Sequence, residues 1–186
     1  MTIGFAMCGS FCTFEAVFPV LETLSKTYTV IPILSQAAAS TDSRFGQADN
    51  HIARLTEICG QTPLCTIAQV EPIGPKKLLD ALVIAPCTGN TLAKLAHSIA
   101  DGPVTMAAKS HLRNGRPILL GISTNDALAG AAENIGKLMG RRHYYFVPFR
   151  QDDPVGKPTS LVADFSKLPS ALEMALAQRQ IQPVLL

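Results

Sequence analysis

Short apolar runs alternate along the chain with segments of helical periodicity, and this alternation limits the possible folds more than any other feature. Residues 81–85 (ALVIA) and 118–122 (ILLGI) are apolar without alternation, which is typical of strands buried on both faces. Residues 2–7, 28–34 and 144–147 are further predicted strands. Strands that alternate with helices predict an α/β fold, in which an open parallel sheet carries helices on both faces.

The helices between these strands are predicted from apolar residues three and four positions apart. Pro103 is well placed to begin a further helix, and Ser170 with Glu173 forms the pattern of a capping box for the last one. Residues 64–67 are expected to form a short strand, and residues 148–160 a polar, proline-rich loop. The apolar stripes are Phe14/Val17/Phe18/Leu21/Leu24, Ala48/Ile52/Leu55/Cys59, Leu92/Leu95/Ala96/Ile99 and Leu128/Ala131/Ala132/Ile135/Leu138.

Composition narrows the class of protein. The 186 residues suit one domain, 1–186, and a formal charge of +2 argues against a polybasic nucleic-acid module. No run reaches the roughly 18 apolar residues of a membrane span, and no Lys or Arg precedes the apolar start, so we expect neither a membrane anchor nor a secretion signal. Five cysteines without CxxC spacing predict free cytoplasmic thiols and no metal site. Charged residues make up 16%, against about 25% in ordinary domains, which indicates a surface partly covered by a protein partner.

Three loops after predicted strands could carry ligand chemistry: 8–11 (CGSF), 86–91 (PCTGNT) and 123–125 (STN). Each places small polar residues at a helix N-terminus, where free N–H groups suit an anionic or heterocyclic ligand. Ser, Thr and Asn are also ordinary helix caps, and capping is the simpler interpretation for the first and third loops. For the 86–91 loop both interpretations stay open. Neither a GxGxxG nor a P-loop motif is present.

Single residues outside a motif give little further indication of function. The four histidines are interpreted as packing or surface residues, and Cys87 as a small buried hydrophobe. Arg44 and Lys157, in polar loops, are the cations best placed to meet a carboxylate.

Gly9-Ser10 and residues 85–101 (APCTGNTLAKLAHSIAD) and 117–125 (PILLGISTN) resemble the homo-oligomeric flavoprotein family. That family includes phosphopantothenoylcysteine decarboxylase, the peptidyl-cysteine decarboxylases and flavin prenyltransferase. The resemblance implies a Rossmann-like, flavodoxin-like fold of three layers, FMN bound between these loops, and trimers or multiples of trimers.

A smaller group within that family resembles nearly the whole chain: the flavoprotein-like B subunits of dipicolinate-forming enzymes in spore-forming bacteria. This resemblance implies an oxidoreductase subunit that makes pyridine-2,6-dicarboxylate from a dihydrodipicolinate-type precursor during sporulation. It also implies an A subunit as partner, with NAD(P) possible on that partner. The segments that carry it are 43–46 (SRFG), 71–91 (EPIGPKKLLDALVIAPCTGNT), 104–114 (VTMAAKSHLRN), 123–126 (STND), 146–154 (FVPFRQDDP), 157–165 (KPTSLVADF) and 180–185 (QIQPVL).

The resemblance also implies site residues. The positions that would contact FMN are Gly9, Ser10, Phe11, Ser35, Pro86, Cys87, Thr88, Asn90, Thr91, Thr124 and Asn125. Arg44 and Lys157 are the candidates for binding a small dicarboxylate substrate, and no catalytic base is assigned.

The chain departs from the decarboxylases at three places. Their catalytic His falls near Glu71-Pro72, their substrate-binding Met is Thr124, and their Asn-Gly pair is His97-Ser98. These departures argue against decarboxylation of a cysteine-type substrate. An FMN-dependent decarboxylase or prenyltransferase and a non-catalytic scaffold with a vestigial FMN site stay as alternatives, and the PCTGNT loop favours the prenyltransferase among them.

Overall fold

The computed structural model describes residues 1–186 and is built around one seven-stranded sheet. Its strands are β1 (Thr2–Met7), β2 (Thr29–Leu34), β3 (Ala81–Cys87), β4 (Ile118–Thr124), β5 (Tyr144–Phe146), β6 (Phe149–Arg150) and β7 (Leu161–Ala163). The helices are α1 (Phe14–Ser25), α2 (Gln36–Ser40), α3 (Ala48–Cys59), α4 (Ile67–Val70), α5 (Gly89–Ala96), α6 (Pro103–Leu112), α7 (Ala132–Met139) and α8 (Leu168–Leu176).

Five strands form a parallel sheet in the order β2-β1-β3-β4-β5, which is the flavodoxin-like order. All of β3 is buried, as is β4 except Thr124, so the two runs without alternation are confirmed as central strands. Helices cover both faces: α1 packs with α3 and α8, whereas α6 packs with α4 and α5, and α5 with α7. The predicted three-layer α/β fold is confirmed.

The sheet is mixed, however, and not wholly parallel as predicted. The short strand β7 pairs antiparallel with the end of β4, through Ser123–Val162 and Thr124–Leu161, and β6 pairs antiparallel with β7. Strands of two and three residues are too short to show periodicity. Their effect is to bring the loop between β6 and β7 to the carboxyl end of β4, where it reaches the candidate site.

Four local predictions were wrong. Residues 64–67 form no strand, because only Leu64 bridges to β2 and Thr66 caps α4 in a capping box with Gln69. Ser170 lies inside α8, since a 3₁₀ turn capped by Asp164 leads into that helix at Leu168.

The other two concern the ends of helices. Ile99 lies beyond α5, which ends at Ala96 as the chain turns through Ser98 at φ 59°, so its side chain is 47% exposed. Leu128 precedes α7 and is 52% exposed, because its N–H donates to the Thr159 carbonyl in the β6–β7 loop. No helix combines the length and apolar character needed to cross a membrane.

Candidate functional site

The winding of the sheet reverses between β1 and β3, and ligands of open α/β sheets bind at such a switch point beyond the carboxyl ends of the strands. The Cys8 N–H donates to the Pro86 carbonyl at 3.1 Å, so the loops after β1 and β3 lie side by side. Two cavities open at this edge and share Gly9 and Thr88. We call them the β2-side cavity, of about 480 Å³, and the β4-side cavity, of about 360 Å³.

Polar side chains at two helix N-termini line the β2-side cavity. Ser35 Oγ accepts from the Ala38 N–H at 3.2 Å and caps α2, and Thr88 Oγ1 accepts from the Thr91 N–H at 3.4 Å and caps α5. Ser35 and Thr88 are therefore helix caps, a role that the sequence left open for the 86–91 loop and did not predict for Ser35. Capping leaves other first-turn N–H groups free for a ligand. The lining residues are Cys8, Gly9, Ser35, Gln36, Ala37, Thr88, Asn90, Thr91, Lys94, Asp101, Gly102, Pro103, Val104 and Thr105.

Two predicted site residues lie beneath the cavities. Pro86 and Cys87 are buried in β3, and neither side chain lines a cavity. Burial and the neighbouring Cys8 raise the pKa of Cys87 well above its ordinary value. Burial likewise raises the pKa of Cys8 to about 11, although Thr91 Oγ1 donates to its sulfur at 3.3 Å. Cys87 is thus a packing residue, as interpreted from the sequence, and neither Cys8 nor Cys87 supplies a thiolate at this edge.

A hydroxyl group from the loop after β1 and one from β4 meet in the β4-side cavity. Ser10 Oγ lies 2.7 Å from Ser123 Oγ and does not cap the following turn, so the capping interpretation was wrong for Ser10. It was also wrong for residues 123–125, because α7 begins only at Ala132. The lining residues are Gly9, Ser10, Phe11, Cys12, Thr13, Phe45, Thr88, Ser123, Thr124, Asn125, Asp152, Lys157, Ser160, Leu161 and Val162.

The two candidate cations differ in their positions. Lys157 lines the β4-side cavity, where its Nζ lies 3.1 Å from Asp152 Oδ2, and this bond raises the pKa of Lys157. Hydrogen bonds from Ser160 and Lys157 lower the pKa of Asp152. Arg44 lines neither cavity; its guanidinium carbon lies 4.8 Å from the centre of the Phe45 ring.

Asp101, Asp152 and Phe45 are among the lining residues that were not predicted as site residues. Asp152 and Asp101 are acids paired with cavity cations, the latter with Lys94 at 2.9 Å, and neither pairing has a local signature. Phe45 carries a signal that could have revealed it, since it is an isolated aromatic residue in the polar loop before α3.

None of the four histidines lines either cavity. His51 packs edge-on against Phe14 at 4.9 Å, and His111 Nε2 lies 3.1 Å from the Pro117 carbonyl oxygen. Glu71, near which the decarboxylase histidine would fall, begins a 3₁₀ turn packed against α6. No imidazole is therefore placed to serve as a base in this site.

The flavoprotein family pattern matches residues 1–142 of the chain. The chain belongs to the flavoprotein family. Among relatives of this flavoprotein, the dipicolinate synthase B subunit of Bacillus subtilis (strain 168) is 46% identical over 184 residues, which cover 98% of this chain and 92% of the relative.

Solved structures extend the comparison. The dipicolinate synthase B subunit from Bacillus halodurans C superposes with a TM-score of 0.91 and 43% identity, covering 100% of this chain and 95% of that one. DmrB of Burkholderia xenovorans in complex with FMN, a cubic protein cage for redox transfer, has a TM-score of 0.71 and 18% identity, covering 95% of each chain. At that identity the likeness to DmrB concerns the fold of the flavoprotein.

Proposed function

We propose that this flavoprotein is the B subunit of a dipicolinate synthase, which forms pyridine-2,6-dicarboxylate from a dihydrodipicolinate-type precursor together with an A subunit. The observation that carries the proposal is the similarity to two Bacillus B subunits over nearly the whole length of the chain. Five free cysteines support a reducing compartment, and we place the protein in the cytoplasm of a sporulating cell.

We further propose that FMN binds across the two adjoining cavities, and the residues present fit such a ligand. The cavities adjoin at Gly9 and Thr88, so together they suit an elongated molecule with an anionic end and a flat ring. The first turn of α5 offers free N–H groups and the Asn90 amide, while Ser10 and Ser35 offer hydroxyls nearby. DmrB, whose fold is similar, is a complex with FMN.

The chemistry requires a hydride acceptor and binding groups for two carboxylates. Conversion of a dihydropyridine to a pyridine removes one hydride and one proton, and FMN, when bound, supplies a hydride acceptor. A nicotinamide on the A subunit is the alternative acceptor. The task of this chain is to hold and orient the dicarboxylate, for which Lys157 in the β4-side cavity and Arg44 near its rim are the proposed cations.

Reconstitution tests the proposal. The chain, the A subunit and their mixture are each given freshly prepared precursor, and formation of pyridine-2,6-dicarboxylate is followed. We expect rapid product formation only in the mixture. If this chain alone turns over the precursor, the requirement for a partner is wrong. If the A subunit alone is as fast as the mixture, the role of this chain in the reaction is wrong.

A further inference from the structure

A hydrogen-bonded turn carries an aromatic side chain at the β4-side cavity. Ser43 and Gly46 exchange two backbone hydrogen bonds, of 3.0 and 3.1 Å, and Ser43 Oγ accepts from the Phe45 N–H at 3.1 Å. Asp42 Oδ1 accepts from the Ala48 N–H at 2.9 Å, which ties the turn to the start of α3. These bonds define the backbone conformation from which the Phe45 side chain reaches the cavity.

The buried His51 ring lies beneath this turn and leaves no room for a side chain at the last residue of the turn, Gly46. Gly46 has φ 133°, and a Cβ there would lie 2.8 Å from Cε1 of His51. The turn thus rests directly on the His51 ring, which leaves it little room to move toward the core.

Phe45 has the surroundings of a residue that stacks on a ligand. Its side chain is 42% exposed although it lines the cavity, and Phe11 lines the same cavity. The Arg44 guanidinium stacks on the Phe45 ring at 4.8 Å. An aromatic face that is pre-positioned and still open to solvent gains contact area when a flat ring lies against it.

The charges in the lining of the β4-side cavity balance, so a dianionic ligand needs a cation from outside that lining. Lys157 is the one cation in the lining and Asp152 the one acid, so they cancel, and the ion pair leaves the cavity without net charge. A dianion therefore needs a second cation, and the Arg44 guanidinium beside Phe45 is next to the lining. The Ser43–Gly46 turn thus presents a ring and a positive charge together.

We propose that Phe45 is the specificity-determining residue for the ring of the substrate: its side chain stacks on a planar ring that bears two carboxylates, and Arg44 binds one of these. This inference rests on the proposed function and identifies the substrate subsite within it. Stacking strengthens as the dihydropyridine flattens to the pyridine, so Phe45 favours the product-like geometry.

Binding measurements on the full chain test this proposal without catalysis. Isophthalate and its saturated cis-cyclohexane counterpart are the probes, because they share two carboxylates and differ in the flatness of the ring. Calorimetric titration, with and without saturating FMN, gives the Kd of each probe. We expect the wild type to prefer isophthalate by about fivefold, the gain that stacking gives beyond buried area.

Variants separate the contribution of the Phe45 ring to binding from that of the Arg44 charge. Phe45→Leu should abolish the preference and Phe45→Tyr should retain it, whereas Arg44→Gln should weaken binding of both probes alike. Ile67→Ala is the matched control, since Ile67 is 40% exposed and lies outside both cavities; it should change neither Kd. Thermal melting checks that each variant is folded.

A wild type that binds both probes equally, or binds neither, overturns the inference, as does a Phe45→Leu variant that keeps the preference. These results leave the proposed function standing if the mixture with the A subunit still forms pyridine-2,6-dicarboxylate. Loss of product formation in that assay overturns the proposed function separately.

Discussion

Asn90 lies on the first turn of α5, where its exposed side chain lines the β2-side cavity and makes no hydrogen bond within the protein. Asn90→Ala should therefore leave the fold intact and remove only a bond to the flavin. We expect the Kd for FMN to rise by about two- to tenfold, the usual net value of one hydrogen bond. Quenching of flavin fluorescence measures this Kd, and Asn50→Ala, on the exposed face of α3, is the control. An unchanged Kd would contradict the position of the site.

The five thiols should differ sharply in reactivity. Cys12 is exposed, whereas Cys8 and Cys87 are fully buried and burial raises the pKa of both. Because the thiolate is the nucleophile, iodoacetamide at neutral pH should modify Cys12 first and the buried pair only after unfolding. Mass spectrometry of timed samples identifies the modified residues, and Cys12→Ser should remove the fast phase. Modification of Cys87 as fast as Cys12 would contradict its packing role.

The sequence predicted which loops meet at the edge of the sheet better than it predicted the contacts within those loops. Ser35 and Thr88 stand directly after strands and Thr91 lies in the first turn of α5, so parallel-sheet geometry brings them to one edge. The Ser10–Ser123 contact joins residues 113 positions apart, and no local pattern reveals it. Phe45 reaches the cavity only through the fold of the Ser43–Gly46 turn.

Among the elements, the junction of α6 and β4 depends on a buried neutral histidine. The pKa of His111 is lowered from 6.5 to about 4, mainly by burial. The hydrogen bond to the Pro117 carbonyl acts in the opposite direction and raises this pKa. Between these two values the unfolded chain binds a proton that the folded chain excludes, so the free energy of unfolding falls as the pH falls. The loss approaches about 3 kcal/mol near pH 4, and is absent above pH 7.

Urea unfolding at several pH values measures this loss, and comparison with His111→Gln isolates it. The variant keeps a donor for the Pro117 carbonyl but has no titrating group, so its stability should fall less steeply below pH 6.5. Burial also lowers the pKa of His51, which contributes to the slope in both proteins. Parallel pH profiles for the two proteins would show that His111 is not buried as a neutral group.

Elements with strong burial were predictable and short ones were not. The apolar runs of β3 and β4 can be buried on both faces only in the middle of a sheet, and both strands lie there. β6 and β7 contain two and three residues, so their pairing depends on tertiary contacts. The ends of α5 and α7 were misplaced because Ile99 and Leu128 continue the apolar spacing and yet remain exposed.

In the whole molecule, only 16% of the residues are charged, and apolar residues such as Ile99, Leu128 and Met139 are exposed. Both features indicate that protein partners cover part of the surface. We expect the chain to form a homo-oligomer, a trimer or a multiple of it, and to bind the A subunit. Sedimentation velocity of the chain, alone and with the A subunit, measures both associations. A monomer under both conditions would contradict this prediction.

If the edge of the sheet between β1 and β3 is a flavin site, the purified chain should bind FMN, and its visible spectrum will show whether it does. We expect flavin absorption that stays with the protein through gel filtration after FMN is added, at about one flavin per chain. Asn90→Ala should retain less flavin under the same conditions. A folded protein that stays colourless after incubation with excess FMN would contradict the claim.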